Sequence, residues 1–232
     1  MRASISRAII AEFLGTAFLL AAVVGSGIMA ERLSGGNVAI TLLANTIATG
    51  AALVALILTF GPISGAHLNP AVTICDAWQK GISIPNAALY ITAQVAGGIS
   101  GVAAANVMFG LPVVFASEKR RTGPSQWFAE FVATFGLLAV IWSCTRLHRS
   151  IVVPFAVAAY ITAAYWFTSS TSFANPAVTI ARSFSDSFTG ICPWDVPPFI
   201  IAQFIGAVAA TFLFGWLVPI EPDHVLMEHP ED

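Results

Sequence analysis

The sequence predicts an all-α membrane protein, with six transmembrane helices and two re-entrant half-helices arranged as an inverted repeat. Three observations carry this. Only 9% of the 232 residues are charged and 57% are hydrophobic, against about 25% charged in a soluble domain. Charge-free runs cover 33–75, 81–117, 150–181 and 196–220, each longer than the roughly 20 residues that cross a bilayer as a helix. Short segments of the first half recur in the second, in the same order.

With lipid as solvent, the backbone must satisfy its own hydrogen bonds as helices or as a closed barrel. The runs lack the polar/apolar alternation of barrel strands, so helices are expected near 8–30, 38–60, 85–109, 124–145, 151–168 and 196–219. Arg2 and Arg7 ahead of the first apolar run could suggest a signal peptide, but Glu12 interrupts the run and further spans follow, so a retained first helix is expected. Trp127, Trp142, Trp194 and Trp216 fall near span ends, where interfacial tryptophans sit. Gly97 and Gly101 are four apart in the third span, a spacing that permits close helix contact. The whole chain, 1–232, reads as one membrane domain, with a first repeat over about 8–109 and a second over about 124–219.

The net charge of −2 gives no footprint for nucleic acid. Cys75, Cys144 and Cys192 are few, far apart and odd in number, which fits no metal spacing. No metal or cofactor is expected, and no nucleophile–base pair suggests an enzyme.

Three matched segments define the repeat. The segment starting Ala11-Glu12-Phe13 matches that starting Ala129-Glu130-Phe131. Asn69-Pro70-Ala71-Val72-Thr73-Ile74 matches Asn175-Pro176-Ala177-Val178-Thr179-Ile180, and Ala93-Gln94 matches Ala202-Gln203. Each half holds three spans, and an odd number inverts the second half in the membrane. After the second span the chain stays uncharged until Asp76. The stretch 69–79 would make about 16 Å of helix, half a bilayer, and 175–185 would do the same. Asn suits an N-cap and Pro a first helical turn, so each half-helix should begin at its Asn-Pro-Ala. Inversion brings the two N-termini together at mid-membrane, positive dipole ends facing inward. Non-helical backbone is tolerated there only where protein buries it or it lines a cavity, so 63–68 and 169–174 should border a water-filled path.

These paired motifs, Gly65-Ala66-His67-Leu68-Asn69-Pro70-Ala71-Val72-Thr73 and Phe173-Ala174-Asn175-Pro176-Ala177, resemble the signature of the aquaporin (major intrinsic protein) family, over about 8–219. The resemblance implies a passive channel for water and small neutral solutes, one pore per subunit, a homotetramer, and a multi-pass place in the cell membrane, here the bacterial inner membrane. Charge counting leaves orientation open, with Arg2, Arg7, Lys80, Arg146 and Arg149 on one side and Arg32, Lys119, Arg120, Arg121 and Arg182 on the other. The resemblance implies cytoplasmic termini. It also implies that Glu12 and Glu130 brace the re-entrant loops and that His67 lines the cytoplasmic half of the pore.

One feature departs from the family. The residue directly after the second Asn-Pro-Ala is normally the arginine of a four-residue selectivity filter; here it is Val178. Family spacing places the other three on Thr49, Ala163 and Ser172. This set matches neither a water-specific nor a glycerol-specific filter. It resembles that of bacterial aquaglyceroporins linked to arsenic resistance. Small, mildly polar walls without arginine imply passage of glycerol-like polyols and neutral metalloid hydroxides such as arsenious acid. A water-selective channel with an unusual filter is the alternative, and a coupled transporter a more distant one, because only Glu12 and Glu130 are ionisable groups within the spans. Arg182 lies one turn beyond Val178 on the same face. It is either a vestibule residue paired with Asp186 or a partial substitute for the missing filter charge.

Overall fold

The computed structural model describes residues 4–147 and 149–219; Arg2 and the acidic tail at 221–232 lie outside the described residues. Its eight α-helices are α1 (Ile5–Leu33), α2 (Val38–Ser64), α3 (Pro70–Trp78), α4 (Ile84–Met108), α5 (Pro124–Arg146), α6 (Val153–Phe167), α7 (Pro176–Arg182) and α8 (Val196–Leu217). Six spans are long and apolar enough to cross a membrane, two of them with the 3-10 turn that leads into α6 (Ser150–Phe167) or α8 (Pro193–Leu217). The short α3 and α7 are the half-helices, and each begins at its Asn-Pro-Ala.

Both half-helices are shorter than the eleven residues expected. α3 stops at Trp78 rather than Gln79, and α7 stops at Arg182 rather than Ser185. At α7 the reason is visible: the carbonyls of Ser183 and Phe184 accept from the backbone of Ser117 and Phe115, and the Ser183 hydroxyl turns back to the Ile180 carbonyl at 2.7 Å. Pairing with the connector between α4 and α5 replaces further helical turns.

Within each half the first and third spans lie against each other, α1 on α4 and α5 on α8. Lipid tails are as apolar as leucine, so membrane helices associate through close packing, and small residues permit it. A Cβ added at Gly97 would meet the Phe13 carbonyl, and one at Gly101 the Ala17 carbonyl. Gly206, the repeat counterpart of Gly97, stands in the same relation to the Phe131 carbonyl. The core between these pairs holds Leu20, Val24 and Val102 in one half and Leu138, Ala207 and Ala210 in the other.

Of the four tryptophans expected at interfaces, Trp194 and Trp216 are strongly exposed and Trp127 is partly so, but Trp142 is buried. Its indole N–H donates to the Thr211 hydroxyl at 3.0 Å. Trp142 is therefore a core residue, because α8 passes where an interface was expected.

Substituting Gly101→Leu forces α1 and α4 apart and should cost about 3 kcal/mol. Size-exclusion chromatography in detergent should show loss of the monodisperse species, and a wild-type elution profile and melting point would contradict this packing.

Candidate functional site

The loops ahead of α3 and α7 are unusual backbone. Ala66 and Leu68 have φ +47°, and Ser172 and Ala174 have φ +48°. Left-handed non-glycine residues cost on the order of 1–3 kcal/mol each and persist only where surroundings hold them. The holding groups are two fully buried glutamates. Glu12 accepts from the backbone N–H of His67 (3.0 Å) and Leu68 (2.7 Å), from the Ser64 hydroxyl (2.6 Å) and from the Gln94 amide (2.7 Å). Glu130 accepts from the backbone N–H of Phe173 and Ala174, each at 2.9 Å, and from the Gln203 amide at 2.6 Å. Each glutamine also donates to a half-helix threonine, Gln94 to Thr73 and Gln203 to Thr179. The repeat seen in the sequence is thus a repeat of one hydrogen-bond network.

Asn69 and Asn175 divide their amides between two tasks. Each oxygen caps its own half-helix, accepting from Ala71 at 2.9 Å and from Ala177 at 3.0 Å. One N–H of each crosses to the other repeat: Asn69 donates to the Ala174 carbonyl and Asn175 to the Leu68 carbonyl, both at 2.8 Å. The second N–H of each amide is left for the lumen. Pro70 and Pro176 occupy the first helical position, where a missing N–H costs nothing.

A cavity of about 210 Å³ passes both motifs. One wall is apolar, with Leu19, Val23 and Leu53 from the first half and Leu137, Val157 and Ile161 from the second. The other wall is the two loops, 65–69 and 172–175. Among the described residues, the carbonyls of Gly65, Ala66, His67, Ser172 and Phe173 accept no protein hydrogen bond. Buried carbonyls need partners, so these face whatever occupies the lumen. His67 lines the cavity, its Nδ1 3.1 Å from the Thr73 hydroxyl and its Nε2 3.7 Å from the Asp76 carboxylate. Beside His67 and Asp76 lies a second, more polar cavity of about 480 Å³, walled also by Ser64, Ser83, Asn86 and Tyr90.

Of the four residues expected at the filter, Thr49, Ser172 and Val178 line the main cavity. Ala163 does not. It is exposed on the opposite face of α6, whose lumen-facing residues are Val157, Ile161 and Tyr165, spaced four apart. Tyr165, two residues on, lines the cavity, its hydroxyl 3.3 Å from the Thr49 hydroxyl. The Ser172 hydroxyl is buried with no hydrogen-bond partner among the described residues. Arg182 is buried too, and it lines the same cavity. Its Nε donates to the Thr189 carbonyl and its guanidinium lies 3.4 Å from the Phe173 ring centroid. Pairing with Asp186 does not occur, because Asp186 accepts from the Glu118 backbone N–H at 3.0 Å and the Ser117 hydroxyl at 3.4 Å.

Arg121 was not singled out in the sequence. Its guanidinium donates to the carbonyls of Gly190, Ser170 and Phe188, while its backbone N–H donates to Asp195 at 2.8 Å. It ties the connector 111–123 to both loops around α7. A buried arginine in a connector is the one signal that could have marked it, and the sequence does not show burial.

A profile of the major intrinsic protein family matches residues 1–166. An aquaglyceroporin of Rhizobium meliloti (strain 1021), AqpS, is 54% identical over 219 residues, covering 94% of this chain and 93% of its own. The chain belongs to the major intrinsic protein family. Aquaporin NIP1-3 of Oryza sativa subsp. japonica is 34% identical over 214 residues, covering 89% of this chain and 72% of its own. The crystal structure of an aquaglyceroporin from Plasmodium falciparum superposes with a TM-score of 0.69 over 91% of this chain and 96% of that one, at 21% identity, a likeness of fold. The protein is thus a multi-pass membrane channel of this family rather than an enzyme.

Two outcomes test these contacts, one at the bracing and one in the connector. Glu130→Ala orphans three donors and should cost about 3 kcal/mol, lowering the melting midpoint by roughly 10 °C. An unchanged midpoint together with unchanged solute flux would contradict the assignment. Lys119 donates to the Phe188 carbonyl at 2.6 Å. Burial above all, then Arg121 and Arg182, pushes its pKa down from 10.5 to about 8. Between those values the unfolded chain binds more protons, so this group's contribution to stability rises with pH from about 8 to 10.5. Scanning fluorimetry should show that Lys119→Met removes part of that rise; superimposable pH profiles would refute it.

Proposed function

We propose that the protein is a passive channel for small uncharged solutes larger than water, glycerol-like polyols and neutral metalloid hydroxides such as arsenious acid, and for water itself. The observation that carries this reading is Val178 where the family places an arginine, in a cavity wall shared with Thr49, Tyr165 and Ser172. A valine contributes neither charge nor donors, so the lumen there is wider and less polar than an arginine would leave it. Arsenious acid, with three hydroxyls and no charge at neutral pH, presents the surface of a compact polyol. The Rhizobium meliloti relative's designation as an aquaglyceroporin agrees with this solute class. The filter is assigned to Thr49, Tyr165, Ser172 and Val178, with Tyr165 in place of Ala163.

A water-selective pore is the second reading, and one observation favours it: Tyr165 and Arg182 return an aromatic ring and a guanidinium to the same stretch of lumen. The family habit supports a homotetramer in the bacterial inner membrane, with both termini cytoplasmic.

Stopped-flow light scattering on proteoliposomes under an inward glycerol gradient separates the readings. Fast, protein-dependent reswelling after the initial shrinkage is expected. Shrinkage with reswelling no faster than empty liposomes would establish the water-selective alternative. Val178→Arg should slow glycerol by about tenfold, the effect of roughly 1.4 kcal/mol at the narrowest point, and leave water flux largely intact. Equal glycerol and arsenite flux in the variant would remove Val178 from the filter.

A further inference from the structure

The inverted repeat carries one feature that neither the bracing nor the filter uses. Seven residues beyond each half-helix asparagine stands a charged side chain, and the two signs are opposite: Asp76 follows Asn69 and Arg182 follows Asn175. Both line the main cavity. Each lies against the ring two residues before its asparagine, Asp76 at 3.7 Å from the His67 Nε2 and Arg182 at 3.4 Å from the Phe173 centroid. Each ring in turn meets an aromatic of the third span of its half edge-on, Tyr90 at 5.5 Å and Phe199 at 5.4 Å. The two halves have thus set charges of opposite sign beside equivalent rings, Asp76 at a ring nitrogen of His67 and Arg182 over the face of Phe173, one toward each end of the lumen.

Asp76 has no evident structural task. Among the described residues its carboxylate accepts no hydrogen bond; its one polar contact is His67. It sits in the last turns of α3, where the helix dipole opposes an acid. Arg182, by contrast, ends α7 in accord with the dipole and is anchored through Nε to Thr189. Lys80, four residues on, is exposed and forms no ion pair with Asp76, and Arg146 is committed to Gln79 and to the Val218 carbonyl at 3.1 Å. The Asp76 side chain is 24% exposed, so its charge acts on the lumen between low-dielectric walls that focus it. The terminal nitrogens of Arg182 make no hydrogen bond with the described residues and likewise act on the lumen.

We propose that Asp76 is a specificity-determining residue that bars anions from one end of the channel, as Arg182 bars cations from the other. The pair passes neutral acids and polyols while rejecting the oxyanions of the same elements. Arg182 also adds to the cation barrier set at the centre by the dipoles of α3 and α7, which by themselves would attract an anion. Without Asp76, the positive half-helix ends and Arg182 would make the lumen anion-attracting along its length. This inference rests on the channel reading above.

The test compares wild type, Asp76→Asn, Asp76→Glu and Arg182→Gln in proteoliposomes, all checked as monodisperse. Glycerol flux is read by light scattering, and nitrate and potassium fluxes by ion-selective dyes. Asp76→Asn should raise nitrate flux by about tenfold or more with potassium flux unchanged, and Asp76→Glu should keep nitrate out. Arg182→Gln should raise potassium flux and leave nitrate unchanged. Nitrate flux at the wild-type level in an Asp76→Asn protein that still passes glycerol would overturn the proposal. So would a wild-type protein that passes nitrate as readily as glycerol, a result that needs no variant to fold. Failure of the channel reading is separate, because it shows as wild-type glycerol flux no greater than that of empty liposomes.

Discussion

Glu12 and Glu130 each hold two backbone N–H groups of a loop that has no helix to bond within. Everything else in the lumen follows from that. A loop at mid-membrane has no water to satisfy its donors, and a carboxylate that accepts several N–H bonds at once removes the problem on one side of the backbone. With its donors tied down, the loop's carbonyls are left on the other side, where they border the cavity. The alternating left-handed residues are the geometric cost of sorting donors and acceptors in this way.

The same network explains why function and stability are hard to separate here. Thr73 and Thr179 hydrogen-bond to the asparagine carbonyl within their half-helices and receive the glutamines of α4 and α8. The half-helices are therefore fixed to the spans through polar contacts, while glycines at Gly97, Gly101 and Gly206 bring those spans close enough for the glutamines to reach. A change in helix spacing of an ångström would be read at the lumen wall.

Much of this was legible in the sequence because the repeat doubled every signal. One Asn-Pro-Ala is an ordinary helix start; two, each preceded by a matched acid and followed by a matched glutamine, specify an inversion axis. The parts not legible are those where the halves differ. Ala163 was placed by counting from the family spacing, and the phase of α6 set Tyr165 in the lumen instead. Trp142 sits near a span end and yet is buried, because the outline of a helix bundle depends on neighbours that sequence position does not reveal. Arg121 and Asp195 gained their roles from connector folding around α7, where no periodicity guides a reading.

The crossed asparagine bonds have a consequence for how the protein is made. Asn69 donates to a carbonyl 105 residues later, and Asn175 returns the bond to the first half. When the first three spans leave the ribosome, α3 has no partner for that amide and no opposite wall to lie against. The seam between the halves closes only when the second loop and α7 are in place, so the two parts of the lumen wall are joined late in synthesis.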